Sequence, residues 1–129
     1  MTEPAGLRFS RTHEWVRLED DRVVVGISDY AQDAVGDVVF VDLPQVGATV
    51  SAGDAVAEVE STKTVSAILS PIGGRVVAVN DTLGAAPEVV NESPYDAGWM
   101  FAITPGDRSE FDPLMDAEAY RAYVQEISG

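Results

Sequence analysis

Apolar and polar residues alternate along much of the chain, in short runs with a period of two. Leu7-Arg8-Phe9, Glu14-Trp15-Val16-Arg17-Leu18 and Ala55-Val56-Ala57-Glu58-Val59 follow this pattern, and Val65-Ser66-Ala67-Ile68-Leu69 follows it more loosely. Such alternation predicts half-buried strands, with one face to the core and one to water. Arg22-Val23-Val24-Val25-Gly26-Ile27 is almost continuously apolar, so a more deeply buried strand is expected there, returning from the acidic turn Glu19-Asp20-Asp21. Asp37-Val38-Val39-Phe40-Val41-Asp42-Leu43 is the next predicted strand, and Pro44 ends it. Gly47 and Gly53-Asp54 mark turns around Thr49-Val50. Arg75-Val76-Val77-Ala78-Val79 and Trp99-Met100-Phe101-Ala102-Ile103 complete the set, the latter closed by Pro105-Gly106.

Helical signals are confined to two places. Ser28-Asp29 offers an N-cap, Gln32 is placed to complete a capping box on Asp29, and Gly36 supplies a stop. Residues 30–35 thus read as a helix of about two turns, too short to stand alone and therefore packed on a sheet. Near the C-terminus, Asp116 can cap a helix in which Tyr120, Tyr123, Val124 and Ile127 share one face, after a short turn at residues 109–114. Residues 80–94 carry little period and read as a polar loop. Many short strands with accessory helices predict a small β-sandwich or barrel, and residues 1–129 read as a single domain without a linker.

Composition narrows the function. A chain of 129 residues that is 46% apolar can bury a real core. The formal charge of −14 argues against nucleic acid and anionic membrane as partners, which need basic footprints, and favours docking to basic protein surfaces. There is no cysteine, so disulfide scaffolding, thiolate catalysis and cysteine metal sites are excluded. His13 is the only histidine, which excludes a multi-histidine metal centre. No run approaches the about 20 apolar residues of a membrane span. The opening Met1-Thr2-Glu3-Pro4-Ala5-Gly6 has neither the basic start and apolar core of a signal peptide nor the arginine-rich character of a transit peptide, so a cytoplasmic protein is expected.

Lys63 is the only lysine; the other basic side chains are all arginine. It lies in Glu60-Ser61-Thr62-Lys63, a short polar stretch between two predicted strands, and so at a hairpin tip with its amine in water. Three roles compete. The plainest is a solvated surface lysine. A Schiff-base lysine would be desolvated or set beside other cations, whereas the neighbours here are Glu58, Glu60, Ser61 and Thr62. The third role is covalent attachment of a swinging cofactor, for which an exposed tip gives reach and two strands give a base.

Glu60-Ser61-Thr62-Lys63-Thr64, after the Gly53-Asp54 turn and before Ser70-Pro71-Ile72-Gly73-Gly74, resembles the lipoyl-lysine hairpin of lipoyl-carrier domains. The wider chain resembles the glycine cleavage system H-protein family. The residues that carry this are His13-Glu14-Trp15-Val16, Gly26-Ile27-Ser28-Asp29-Tyr30-Ala31-Gln32 and Gly36-Asp37-Val38-Val39-Phe40-Val41-Asp42-Leu43-Pro44. Val90-Asn91-Glu92-Ser93-Pro94-Tyr95, Gly98-Trp99-Met100 and Leu114-Met115-Asp116-Ala117-Glu118-Ala119-Tyr120 follow in the same order and spacing.

The resemblance implies a mainly β fold: a lipoyl-type barrel-sandwich hybrid of two small sheets, with a short helix insertion and a C-terminal helix. It implies lipoate amide-linked to Lys63 by a lipoate ligase or lipoyl transferase, on a monomeric carrier that is not itself an enzyme. In the family the lipoyl disulfide accepts the aminomethyl group left when glycine decarboxylase, a pyridoxal-phosphate enzyme, removes carbon dioxide. An aminomethyltransferase then releases ammonia and passes the one-carbon unit to tetrahydrofolate, and dihydrolipoyl dehydrogenase reoxidises the arm. The lack of cysteine suits this scheme, since the redox sulfurs come with the cofactor.

By the same resemblance, Thr12, Glu14 and the residue four after the lysine would hold the loaded arm in a surface cleft. That last position is Ala67 here, where the family commonly has aspartate, so the cleft would have one carboxylate fewer. His13 either lines the cleft or caps the strand. Glu60 matches an acidic position that lipoylating enzymes use for recognition, or is a solvated turn acid. Three alternatives remain: a biotin carrier, an H-like protein that relays lipoate to 2-oxoacid dehydrogenases, and an unmodified interaction module. The first is disfavoured because methionines typically flank a biotinyl lysine, and none lies within two residues of Lys63.

Overall fold

The structure, a computed structural model, describes residues 6–128. Residues 1–5, read above for targeting signals, lie outside the described residues. The strands are β1 (Arg8–Phe9), β2 (Glu14–Glu19), β3 (Arg22–Ile27), β4 (Val38–Asp42), β5 (Thr49–Val50), β6 (Ala55–Ser61), β7 (Val65–Leu69), β8 (Gly74–Val79) and β9 (Phe101–Pro105). The helices are α1 (Asp29–Val35), α2 (Thr82–Ala85), α3 (Val89–Glu92) and α4 (Ala117–Ser128), with a 3-10 turn over Arg108–Phe111.

Two antiparallel sheets form. One is six-stranded in the order β1-β2-β3-β9-β8-β5, and the other is three-stranded in the order β4-β6-β7. The expectation of a mainly β, two-sheet fold with a helix insertion and a C-terminal helix holds. Val16, Val25 and Ile27 of the larger sheet and Val41, Val59 and Ile68 of the smaller belong to one buried cluster, so the sheets share a core.

The run in β3 is apolar on both faces because both faces are covered. Val23, Val25 and Ile27 join the main core, while Val24 joins Leu7, Phe9, Trp15, Ala102 and Tyr120 in a second cluster that includes α4. Tyr120 anchors α4 by stacking on Phe9 with ring centroids 4.4 Å apart. Tyr123 and Val124 pack on the same cluster, but Ile127 is 45% exposed, so the apolar face of the helix ends sooner than its period predicts. Asp116 caps α4 as expected, accepting from the Ala119 N–H at 2.8 Å.

The local expectations need two corrections. Residues 80–94 are not a plain loop: α2 and α3 are single turns that bury Leu83 and Val90, and neither has a side-chain cap to announce it. The cap of α1 is Ser28, whose hydroxyl accepts from the Ala31 N–H at 3.1 Å. No capping box forms on Asp29; Gln32 Nε2 instead donates to the Asp29 carboxylate at 3.0 Å. Among the described residues no helix is long and apolar enough to cross a membrane.

Candidate functional site

The β6–β7 hairpin carries Lys63. Its strands pair with Glu60 opposite Val65 and Glu58 opposite Ala67. At the tip the Ser61 N–H donates to Thr64 O at 2.8 Å. The Ser61 hydroxyl accepts from the backbone N–H groups of Lys63 at 3.2 Å and Thr64 at 3.1 Å. One side chain therefore satisfies both tip amides, and neither Thr62 nor Lys63 takes a positive φ. Lys63 is exposed. The ion pairs among the described residues join Glu19 to Arg17 and Arg22, so the Lys63 ammonium has no carboxylate partner there.

Glu14 opens β2 and is only 1% exposed. Ser10 Oγ donates to its Oε1 at 2.7 Å, Thr12 Oγ1 bonds the same oxygen, and the Leu69 N–H donates to Oε2 at 3.2 Å. Since Leu69 lies in β7, the carboxylate ties the larger sheet to the strand that descends from Lys63. Burial pushes the Glu14 carboxyl above the usual glutamate range, and the donors from Thr12, Ser10 and Leu69 pull partly back. It is not a solvated edge acid.

Thr12 and Glu14 are thus brought together, and His13 between them faces elsewhere. His13 has φ 75, in the left-handed region that a non-glycine residue rarely occupies. Its Nδ1 lies 2.8 Å from Tyr120 Oη, and that hydroxyl lies 2.7 Å from Ser28 Oγ. The His13 carbonyl accepts from the Ser28 N–H at 2.9 Å. The ring packs on Tyr30 with centroids 4.7 Å apart. Burial lowers the His13 pKa, which favours the neutral ring. His13 therefore fastens the start of β2 to α1 and α4.

Neither Glu60 nor Ala67 is among the hydrogen-bond partners of Glu14. Glu60 is exposed, between Phe40 and Val65 in the register of the smaller sheet. Ala67 is exposed opposite Glu58, and Glu14 reaches β7 through the Leu69 backbone rather than through position 67. Ser10 was not singled out from sequence. Its place two residues before Thr12 and four before Glu14 is a period-two signal that could have found it. A separate hollow lined by Leu18, Val23, Ile72, Pro105, Arg108, Phe111 and Asp112 shares no residue with the site.

Residues 7–127 match the family model described as glycine cleavage H-protein. The chain is similar to the glycine cleavage system H protein of Geobacillus kaustophilus (strain HTA426), at 52% identity over 126 residues, covering 98% of this chain and 99% of the relative. It is also similar to that of Methylococcus capsulatus (strain ATCC 33009 / NCIMB 11132 / Bath), at 54% identity over 124 residues, covering 95% of this chain and 97% of the relative. The crystal structure of a glycine cleavage system H protein from Mycobacterium marinum superposes with a TM-score of 0.86 at 37% identity, covering 98% of this chain and all of that one.

Proposed function

Because the chain belongs to the glycine cleavage H-protein family, the lipoyl carriers of the glycine cleavage system, we propose that Lys63 is the residue to which lipoate is joined through an amide. One observation carries the assignment: the only lysine in the chain stands exposed on a hairpin tip held by its neighbour Ser61. An acylating enzyme needs an accessible amine on a fixed base, and the tip offers both. When bound, the lipoyl group supplies a disulfide able to take up a one-carbon unit and to cycle between oxidised and reduced forms. The chain has no thiol of its own to exchange with it.

Glu14 and Thr12 are the residues that would hold a protonated amine, which must part the cover over the buried Glu14 carboxylate to reach it. A carboxylate offers about four acceptor directions. Ser10, Thr12 and Leu69 occupy three, two on Oε1 and one on Oε2, which leaves a direction on Oε2 for a cationic N–H. A cation there would also offset the cost of keeping this carboxylate charged while buried. His13 supports the pair by fixing the backbone between them, and Glu60 is offered on the outer face to the lipoylating enzyme.

On this reading the chain is one lipoyl-carrier domain, a cytoplasmic monomer and a substrate rather than an enzyme. Its partners are glycine decarboxylase, the aminomethyltransferase, dihydrolipoyl dehydrogenase, and a lipoate ligase or lipoyl transferase. The shared core of the two sheets supports a single domain, and the charge of −14 supports partners with basic docking surfaces. The test is reconstitution. Protein treated with lipoate ligase should support glycine-dependent carbon dioxide release by glycine decarboxylase, and Lys63→Arg should not. Equal activity of the two would overturn the assignment.

A further inference from the structure

The corner between α1 and β4 touches the lysine side chain itself. Gly36 ends α1 with φ 92 and ψ −162, a backbone conformation that favours glycine. A Cβ built on Gly36 would stand 3.1 Å from Lys63 Cε, 3.6 Å from Cδ and 3.8 Å from Cγ. Three consecutive carbons of the lysine stem therefore lie across this glycine, close enough that a Cβ there would crowd Cε and meet Cδ and Cγ at ordinary contact. The backbone ties the tip to the same corner, because the Thr62 N–H donates to Asp37 O at 3.1 Å.

The corner is braced from behind. Asn91 of α3 donates its Nδ2 to Gly36 O and to Gln32 Oε1, both at 2.9 Å, and its Oδ1 accepts from the Val38 N–H at 2.9 Å. The Gly36 N–H donates to Gln32 O at 3.0 Å. Both polar groups of Gly36 are thus fixed, and one amide side chain spans the turn from Gly36 to Val38. A short helix with no cap signal in the sequence acquires a purpose: it places Asn91 against the corner at Gly36 and Val38.

The geometry points to a seat for the base of the arm, formed by Gly36 and Asp37 and braced by Asn91. It holds the methylene stem of Lys63 against the protein while the Nζ end stays in solvent. A seated stem loses rotamer freedom and covers a little apolar surface, with its head left in water. The arm then pivots at Nζ rather than at the root of the side chain. Its direction of departure is set by the corner, and a partner that draws the arm to full reach must first lift the stem. The contact is small and leaves the head free, so lifting is cheap, as a carrier requires.

This inference rests on Lys63 as the lipoylated residue, but its first test does not. With a single lysine, lysine-selective 13C labelling yields one set of side-chain resonances from the unmodified full-length chain. Nuclear Overhauser contacts from the Lys63 Hδ and Hε protons to Gly36 Hα are expected, with separate shifts for the two Hε protons. Asn91→Ala loosens the corner without adding a Cβ at position 36 and should weaken those contacts; Gly36→Ala, where it folds, crowds Cε and should weaken the Hε contacts most. A wild-type lysine with no contact to Gly36 and fully averaged methylenes overturns the seat, whatever the variants do. If that protein still accepts lipoate at Lys63, the carrier reading stands without the seat. A seated lysine that never accepts lipoate leaves the contact in place and overturns its use.

Discussion

Glu14 is where burial and chemistry meet in one side chain. The alternation around it reads as a solvated edge acid and the family resemblance as a cleft carboxylate, and the structure encloses it under Ser10, Thr12 and the Leu69 amide. Its carboxyl is raised by burial, so the native state favours the protonated form more than the unfolded chain does. That contribution to stability is fully present below the ordinary glutamate pKa and is lost as pH rises through the raised native value. Glu14→Gln keeps a donor and an acceptor but does not titrate. The wild type should therefore lose urea resistance relative to Glu14→Gln as pH rises from about 4 to about 7; parallel pH profiles would contradict this. Tyr120 gives a second expectation. Its hydroxyl joins His13 Nδ1 at 2.8 Å and Ser28 Oγ at 2.7 Å, and Tyr120→Phe should cost about 1–3 kcal/mol in urea unfolding. An unchanged midpoint would mean that the hydroxyl, with its bonds to His13 and Ser28 together, contributes nothing net. This link was not legible in the sequence, because it joins positions 107 residues apart. Lys63 stands out in the sequence as the only lysine, between two runs of period two, whereas Thr12 and Glu14 are pointed to by the family resemblance and not by any local pattern.

Elements were legible in proportion to how much local signal they carry. β2, β6 and β7 announce themselves by period two, and β3 by its apolar run. The helices α2 and α3 do not, because a single turn shows no period and both lack a side-chain cap. Two adjacent residues could cap α1, and backbone geometry decides between them: Ser28 is extended at φ −72 and ψ 167, with its hydroxyl turned to Ala31. At the hairpin, β6 runs on to Ser61, two residues beyond the expected end at Val59. That extension places the Ser61 hydroxyl inside the turn. Ser61→Ala removes the acceptor for the Lys63 and Thr64 amides. It should cost about 0.5–1.5 kcal/mol and speed hydrogen exchange at those two amides specifically. Exchange that is unchanged there would show that the tip is held by Thr64 O and Asp37 O alone.

For the whole molecule, the class of fold was legible and the division of strands between sheets was not. β3 pairs with β9 through Val23 and Ile103, and a local period cannot say which distant strand completes a sheet. The same scale governs how the molecule meets its partners. A chain of net charge −14 should associate with a basic partner surface by electrostatic steering. Raising the salt from about 0.1 M to about 1 M shortens the screening length from about 10 Å to about 3 Å. Association with the aminomethyltransferase, the partner proposed above, followed by stopped flow, should slow about tenfold or more over that range; a salt-independent rate would remove the charge from the docking argument. The carrier reading itself is tested most directly by peptide mass spectrometry of the protein from its native source, because a single lysine makes the assignment unambiguous. A lipoyl mass increment on the peptide containing Lys63 is the predicted result. A bare Lys63, from cells that lipoylate their other carriers, would contradict it.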